Sequence, residues 1–193
     1  MTKLKMVPIL FWIFAALFIA RLLVPLDAGA AELTAFPMIG ENLQAAKALT
    51  IEASETKTRA VIFLSTKCPC SASHLSEVRS LAKDYPDVEF VGVHSNIDEP
   101  VNEAEAYFKN ADLSFPVIQD TNNSIANRLQ AFKTPHAFVI VKNQIVFKGG
   151  VSDHQEFKPD ARKYLREALE DLKQKRSIKT PVARTLGCAI PRS

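Results

Sequence analysis

The sequence predicts an α/β fold with a mixed central sheet and helices on both of its faces. Two apolar runs, at 60–64 and 88–93, are typical of strands buried on both faces, and an amphipathic segment at 71–85 lies between them. Strands joined by a helix pair in parallel. The later runs at 137–141 and 144–148 are separated by only two residues, which need to tolerate positive φ, and therefore predict an antiparallel hairpin. The two kinds of connection together predict a mixed sheet.

Apolar residues at helical spacing account for most of the remaining chain. This spacing predicts helices at 40–49, 71–85, 101–110, 124–132 and 159–175. Pro86 ends the second helix, and Thr134-Pro135 breaks the chain before the hairpin. The predicted order from residue 60 onward is thus strand–helix–strand, two helices, two strands and a closing helix.

The first 30 residues are predicted to be an export signal. Lys3 and Lys5 precede an uncharged run at 6–20, and the small residues at 28–30 match a signal-peptidase site. The alternative is an uncleaved membrane anchor, because the apolar stretch 6–26 is about as long as a bilayer requires. Both alternatives place the rest of the chain outside the cytoplasm, periplasmic or secreted. Contact with a membrane is expected only through an uncleaved N-terminus.

Composition excludes several classes of protein. The chain has 193 residues, of which 47% are hydrophobic and 23% charged, as in an ordinary globular domain. The net charge of +3 is too small and too evenly spread for a nucleic-acid binder, and three cysteines are too few for a disulfide-rich scaffold. We therefore expect one domain at 31–176, followed by a C-terminal tail at 177–193 that carries Cys188.

The chemistry is predicted at the end of the first buried strand, where Cys68 and Cys70 flank Pro69. Sites in open α/β sheets form at the carboxyl ends of strands. Cys68 is expected to begin the next helix, with Pro69 at the first helical position. Unpaired N–H groups and the helix dipole stabilise a thiolate there, and Lys67 adds positive charge. These features favour a reactive cysteine over two inert buried thiols.

The order of elements, Cys-Pro at the start of the first helix and Thr134-Pro135 before the hairpin resemble the thioredoxin fold. More specifically, they resemble exported redoxins of the alkyl hydroperoxide reductase/thiol-specific antioxidant (AhpC/TSA) group, over about residues 57–190. The ending 187–190, Gly-Cys-Ala-Ile, is similar to the Gly-Cys-x-Ile tail of one redoxin subgroup, as is the segment 150–153. The resemblance implies a thioredoxin-like fold, redox or antioxidant activity, and a cis peptide bond that places Pro135 against the active cysteine.

The sequence departs from both standard mechanisms of these families. Lys67 replaces the tryptophan of a thioredoxin site, and Ser71 stands where its second cysteine would be. Ser65 matches the peroxiredoxin residue three positions before the cysteine, but Val61 stands where a peroxiredoxin has proline. Arg128 is a weak candidate for the peroxiredoxin arginine.

The leading hypothesis is an extracytoplasmic thiol–disulfide oxidoreductase in which Cys68 attacks and Cys70 or Cys188 resolves. A Cys68–Cys70 bond would close a very small ring and be strained and easily reduced, whereas a bond to Cys188 would be less strained. The expected supporting residues are Ser65, Thr66, Lys67, Pro69, Thr134 and Pro135. The expected partners are a disulfide-containing protein, or a small thiol or peroxide substrate, and a redox partner that supplies electrons; no cofactor is expected.

Two alternatives remain open. In a thiol peroxidase, Cys68 would become a sulfenic acid. In a copper-binding protein without enzymatic activity, Cys68 and Cys70 would bind the metal with His74 or His136, because thiolate and imidazole suit Cu(I) or Zn. His94 and His154 are given no role.

Overall fold

A computed structural model describes residues 35–192, so the predicted signal or anchor at 1–30 lies outside the described residues. Within the described range, no helix combines the length and the apolar character needed to cross a membrane. A seven-stranded sheet forms the centre of this region. Its strands are β1 Met38–Asn42, β2 Lys47–Ile51, β3 Thr58–Phe63, β4 Val88–His94, β5 Val117–Gln119, β7 His136–Val141 and β8 Gln144–Gly149. Their order in the sheet is β2-β1-β5-β4-β3-β7-β8.

The pairing confirms the predicted mixed sheet. β3 pairs in parallel with β4 and antiparallel with β7, and β7 pairs antiparallel with β8. The turn between β7 and β8 has positive φ at Lys142 and Asn143, as the two-residue connection predicts. A separate two-stranded sheet pairs β6, Lys133–Thr134, with β9, Cys188–Ala189.

Helices cover both faces of the large sheet. They are α1 Pro69–Asp84, α2 Val101–Asn110, α3 Ser124–Leu129 and α4 Tyr164–Lys173, with a 3-10 turn at Thr121–Asn123 before α3. The predicted limits of α2 are confirmed. α1 begins two residues before the predicted start, while α3 and α4 are shorter than predicted. Alternate residues of β3 point to opposite faces, so Ile62 packs in one core and Phe63 in the other.

The helix predicted at 40–49 is wrong, because this segment forms the hairpin of β1 and β2. β1 also pairs with β5, and Gly40 passes so close to the Gln119 carbonyl that a Cβ would collide with it. The apolar residues of 40–49 have helical spacing, but this segment forms strands because β1 pairs with the distant strand β5. β5 was not predicted, since three residues are too few to show a periodic pattern.

Candidate active site

Cys68 lies at the junction of β3 and α1, as the sequence predicts. It is the N-cap of α1, with extended φ and ψ of −83° and 114°, and Pro69 occupies the first turn of the helix. The backbone N–H of Ser71 points at the Cys68 Sγ, 3.4 Å away. The sulfur is thus held against the positive end of the helix dipole, where a thiolate is stabilised.

The peptide bond between Thr134 and Pro135 is cis, as the resemblance implies. The Thr134 carbonyl oxygen lies 3.2 Å from the Cys68 Sγ, and both residues are buried. The proline loop therefore forms the second wall around the cysteine, across from the start of α1.

Three sulfur atoms meet at this junction. Cys68 and Cys188 form a disulfide with Cα atoms 5.9 Å apart, across 120 residues of sequence. Cys70 is a free, buried thiol. All three sulfurs lie within 4.8 Å of one another. The sequence left the partner of Cys68 open between Cys70 and Cys188, and the structure pairs it with Cys188.

The C-terminal tail reaches Cys68 along the edge of the sheet. The backbone of Lys148 in β8 accepts from Ala183 N–H and donates to the Pro181 carbonyl, both at 2.9 Å. The tail then crosses to β6, where Cys188 pairs with Thr134 in the antiparallel register. The disulfide therefore joins two segments that are already hydrogen-bonded side by side.

The residues on either side of Cys188 fit this docking. Gly187 has φ of +151° and lies so close to the Thr134 carbonyl that a Cβ would collide with it. Ile190 donates its N–H to the Phe132 carbonyl at 2.9 Å, and its side chain is buried in one of the two cores. The glycine and the isoleucine of the tail motif thus have separate structural roles, close approach and anchoring.

A buried carboxylate supports the turn that precedes Cys68. Glu99 accepts hydrogen bonds from the Ser65 hydroxyl, from Thr66 N–H at 2.7 Å and from the Thr66 hydroxyl at 2.6 Å. Ser65 Oγ in turn accepts the Cys68 N–H at 3.0 Å. Burial alone would raise the pKa of Glu99, but the hydrogen bonds from His94, Ser65 and Thr66 outweigh it and lower the pKa to about 2. Glu99 is therefore ionised at neutral pH and holds the turn in place.

His94 completes this network, although the sequence gave it no role. Its Nε2 lies 2.9 Å from the Glu99 carboxylate, and its Nδ1 lies 2.9 Å from the Gln119 side-chain oxygen. Sequence analysis also missed Glu99. A usable signal existed, because His94 ends β4, the parallel neighbour of β3, and the carboxyl ends of parallel neighbours meet at one edge.

The other predicted residues lie around this centre with different partners. The Lys67 ammonium lies 3.3 Å from Glu103, and both side chains are more than half exposed. Arg128, the candidate peroxiredoxin arginine, donates to the Pro37 carbonyl. Pro69 and Cys70, the first two residues of α1, line an open cleft of about 730 Å³.

The two histidines proposed as copper ligands do not join the sulfur group. His74 is buried, with Nδ1 at 2.7 Å from the Cys70 carbonyl and Nε2 at 2.7 Å from Ser152 Oγ. Burial lowers the pKa of His74 below its usual value. The pKa of His136 falls to about 4, through burial first and the charge of Lys148 second. The His136 ring packs on Phe138 with centroids 4.4 Å apart.

Comparison with known proteins agrees with this architecture. Residues 56–146 match a family model described as thioredoxin-like. No curated protein shows significant similarity in sequence. An uncharacterized conserved protein from Geobacillus kaustophilus is 20% identical with a TM-score of 0.74, covering 83% of this chain and 90% of that chain. A hypothetical protein from Sinorhizobium meliloti is 21% identical with a TM-score of 0.72, covering 83% and 93%.

A third structure has a stated activity. A thiol-disulfide oxidoreductase from Bacteroides fragilis is 18% identical, with a TM-score of 0.54, over 72% of this chain and 98% of that chain. At these identities the structural matches establish the fold. Together with the match of residues 56–146 to the thioredoxin-like family model, they show that the described chain has the thioredoxin-like fold.

Proposed function

We propose that the protein is an extracytoplasmic thiol–disulfide oxidoreductase in which Cys68 is the nucleophile and Cys188 the resolving cysteine. The observation that carries the proposal is the placement of the Cys68 Sγ, held between the start of α1 and the Thr134 carbonyl and bonded to the tail cysteine. The basic and apolar N-terminus supports a location outside the cytoplasm.

The reaction begins from the reduced protein. The Cys68 thiolate attacks one sulfur of a substrate disulfide, which forms a mixed disulfide and releases the other substrate sulfur as a thiolate. The Cys188 thiolate then attacks the Cys68 Sγ, which frees the second substrate thiol and leaves the Cys68–Cys188 disulfide. An external dithiol returns two electrons and two protons and becomes a disulfide itself.

The docked tail indicates how a substrate would bind. β9 pairs with the edge of β6 and places a sulfur beside Cys68. An extended segment of a substrate protein could add to the same edge by strand addition once the tail has left it. The substrate class is therefore a protein with an accessible disulfide in an extended segment.

The hydrogen bonds of Ser65 favour disulfide exchange over the peroxidase alternative. Its hydroxyl donates to the buried Glu99 and accepts the Cys68 N–H. The hydroxyl that matches the peroxiredoxin pattern is thus hydrogen-bonded within the turn.

The test compares three serine variants of the full chain in exchange with a small dye-labelled disulfide. We expect Cys68→Ser to reduce exchange to the uncatalysed rate, because the nucleophile is removed. Cys188→Ser should accumulate the Cys68 mixed disulfide, because the second attack is removed. Cys70→Ser is the matched control and should complete the cycle.

Mass mapping of the trapped species identifies the sulfur that carries the substrate. Exchange that is unchanged in Cys68→Ser would refute the proposal. Reaction of reduced wild-type protein with hydrogen peroxide much faster than with the disulfide, with sulfenic acid at Cys68, would replace it with a peroxidase.

A further inference from the structure

We propose that the reduced protein binds one Cu(I) ion through the sulfurs of Cys68, Cys70 and Cys188. The exchange reaction proposed above uses only Cys68 and Cys188, so it leaves the buried Cys70 thiol without a role. The copper site does not depend on that reaction being correct.

The spacing of the sulfurs suits a three-coordinate soft metal. A metal–thiolate bond is about 2.3 Å long, so three sulfurs in a plane around one ion lie about 4 Å apart. The three sulfurs here all lie within 4.8 Å of one another while two of them are bonded. Opening that bond separates the Cys68 and Cys188 sulfurs toward the required spacing, and Cys70 needs little movement.

The number of ligands favours copper over a structural zinc ion. Within the described part of the chain, no histidine or carboxylate joins the sulfur group. Thiolates suit both Cu(I) and zinc, but a structural zinc site takes four ligands in a tetrahedron, and this group offers three. Both ring nitrogens of His74 have other partners, and His136 does not belong to the group of ligand atoms around the sulfurs, so Cys188 takes the place of the predicted histidine.

The surroundings favour negative sulfur and give the ion a route from solvent. The first turn of α1 directs the Ser71 N–H at Cys68. Cys70 lies on the wall of the open cleft, whose charged lining residues are Lys158, Arg184, Asp153 and Glu156. A Cu(I) complex that enters this cleft would reach Cys70 first.

The disulfide then controls metal binding. A dithiol donor must first reduce the Cys68–Cys188 bond, giving two thiols and the disulfide of the donor. Cu(I) binding displaces the thiol protons to solvent, and the oxidation state of the copper does not change. The oxidised protein therefore has one free sulfur ligand, and the reduced protein has three.

The first test uses the full chain and Cu(I) supplied as its bicinchoninate complex under anaerobic conditions. We expect the reduced protein to remove one copper per chain from the chelator, and the oxidised protein to remove none. X-ray absorption should show three sulfur neighbours and no nitrogen. Failure of the reduced protein to compete, or equal uptake by the oxidised protein, would overturn the proposal.

Variants separate the copper site from the exchange reaction. Losing the hydrogen-bond partner of a metal ligand weakens binding 10–100-fold, so loss of a ligand in Cys70→Ser should weaken it about 100-fold or more. His154→Ala removes an exposed side chain from the same cleft and is the control that should bind copper normally. Unchanged affinity in Cys70→Ser, or lost affinity in His154→Ala, would contradict the three-sulfur site. Exchange that persists in Cys70→Ser shows that this protein is folded.

Discussion

The two sides of the Cys68–Cys188 disulfide are held by very different structures. Cys68 lies between a central strand and a 16-residue helix, and its turn is hydrogen-bonded to a buried carboxylate. Cys188 lies in a two-residue strand of a tail that is attached at the edge of the sheet. Breaking the disulfide leaves the first side fixed by its own packing, while the second keeps its edge contacts, the buried Ile190 and the hydrogen bonds of Arg192 to Asn127 and Ala131. This difference agrees with the proposed mechanism, in which the fixed sulfur attacks and the sulfur that can move away resolves.

The largest expected effect is on stability, when the hydrogen bonds that Glu99 makes to the turn before Cys68 are weakened. Glu99→Gln removes the buried negative charge that accepts from Ser65, Thr66 and His94. Because the donors on Ser65 and His94 stay buried, we expect the free energy of unfolding to fall by about 3 kcal/mol at pH 7. Urea unfolding of the variant and the wild type measures the difference. An unchanged midpoint would show that the network does not support the turn.

The pH dependence of stability tests separately whether Glu99 is ionised in the folded protein. The pKa of Glu99 is about 2 in the folded protein, below the usual value of 4.5. The lowered pKa means that its stabilisation is fully present above about pH 5 and is lost as the pH falls towards 2. The stability gap between wild type and Glu99→Gln should therefore close over this range. A gap that stays constant down to pH 2 would contradict an ionised Glu99.

The sequence predicts a structural feature well where neighbouring residues encode it, and poorly where distant residues do. The β3–α1 junction is encoded by neighbouring residues: an apolar run, then Cys68, then Pro69. The cis bond at Pro135 and the Gly-Cys-x-Ile tail could be found only through a family resemblance, because single-sequence patterns do not show what the tail contacts. The resemblance to the AhpC/TSA group and the export signal remain predictions.

The misses have a common physical cause, which is pairing across long sequence separations. The 40–49 segment becomes a hairpin through its contact with β5, about 75 residues further along the chain. Glu99 binds Ser65 and Thr66 from 33 or 34 residues away, and no periodic pattern joins them. Cys188 pairs with Cys68 across 120 residues. Composition and spacing describe local structure, whereas each of these contacts is set by the assembled sheet.

A smaller effect, on the reduction potential of the disulfide, is expected when the tail that carries Cys188 is loosened at Gly187. In Gly187→Ala, the new Cβ collides with the Thr134 carbonyl, so β9 cannot dock on β6 as it does in the wild type. We expect the equilibrium between disulfide and dithiol to shift about tenfold toward the dithiol, which raises the reduction potential by about 30 mV. Equilibration with glutathione buffers measures it. Ala189→Ser, at an exposed position of the same strand, is the control and should keep the wild-type potential.

The smallest effect is expected at Lys67, where the sequence suggested help for the thiolate. The Lys67 ammonium pairs with Glu103, and both side chains are more than half exposed, so solvent and salt screen its charge. The Ser71 N–H, in contrast, points directly at the Cys68 sulfur. We therefore expect Lys67→Ala to change the exchange rate by less than about threefold at physiological salt. Rates of wild type and variant between low and high salt provide the measurement. A tenfold loss that disappears at high salt would show that the lysine acts on the thiolate at long range; a small, salt-independent change leaves the backbone of α1 as its source of stabilisation.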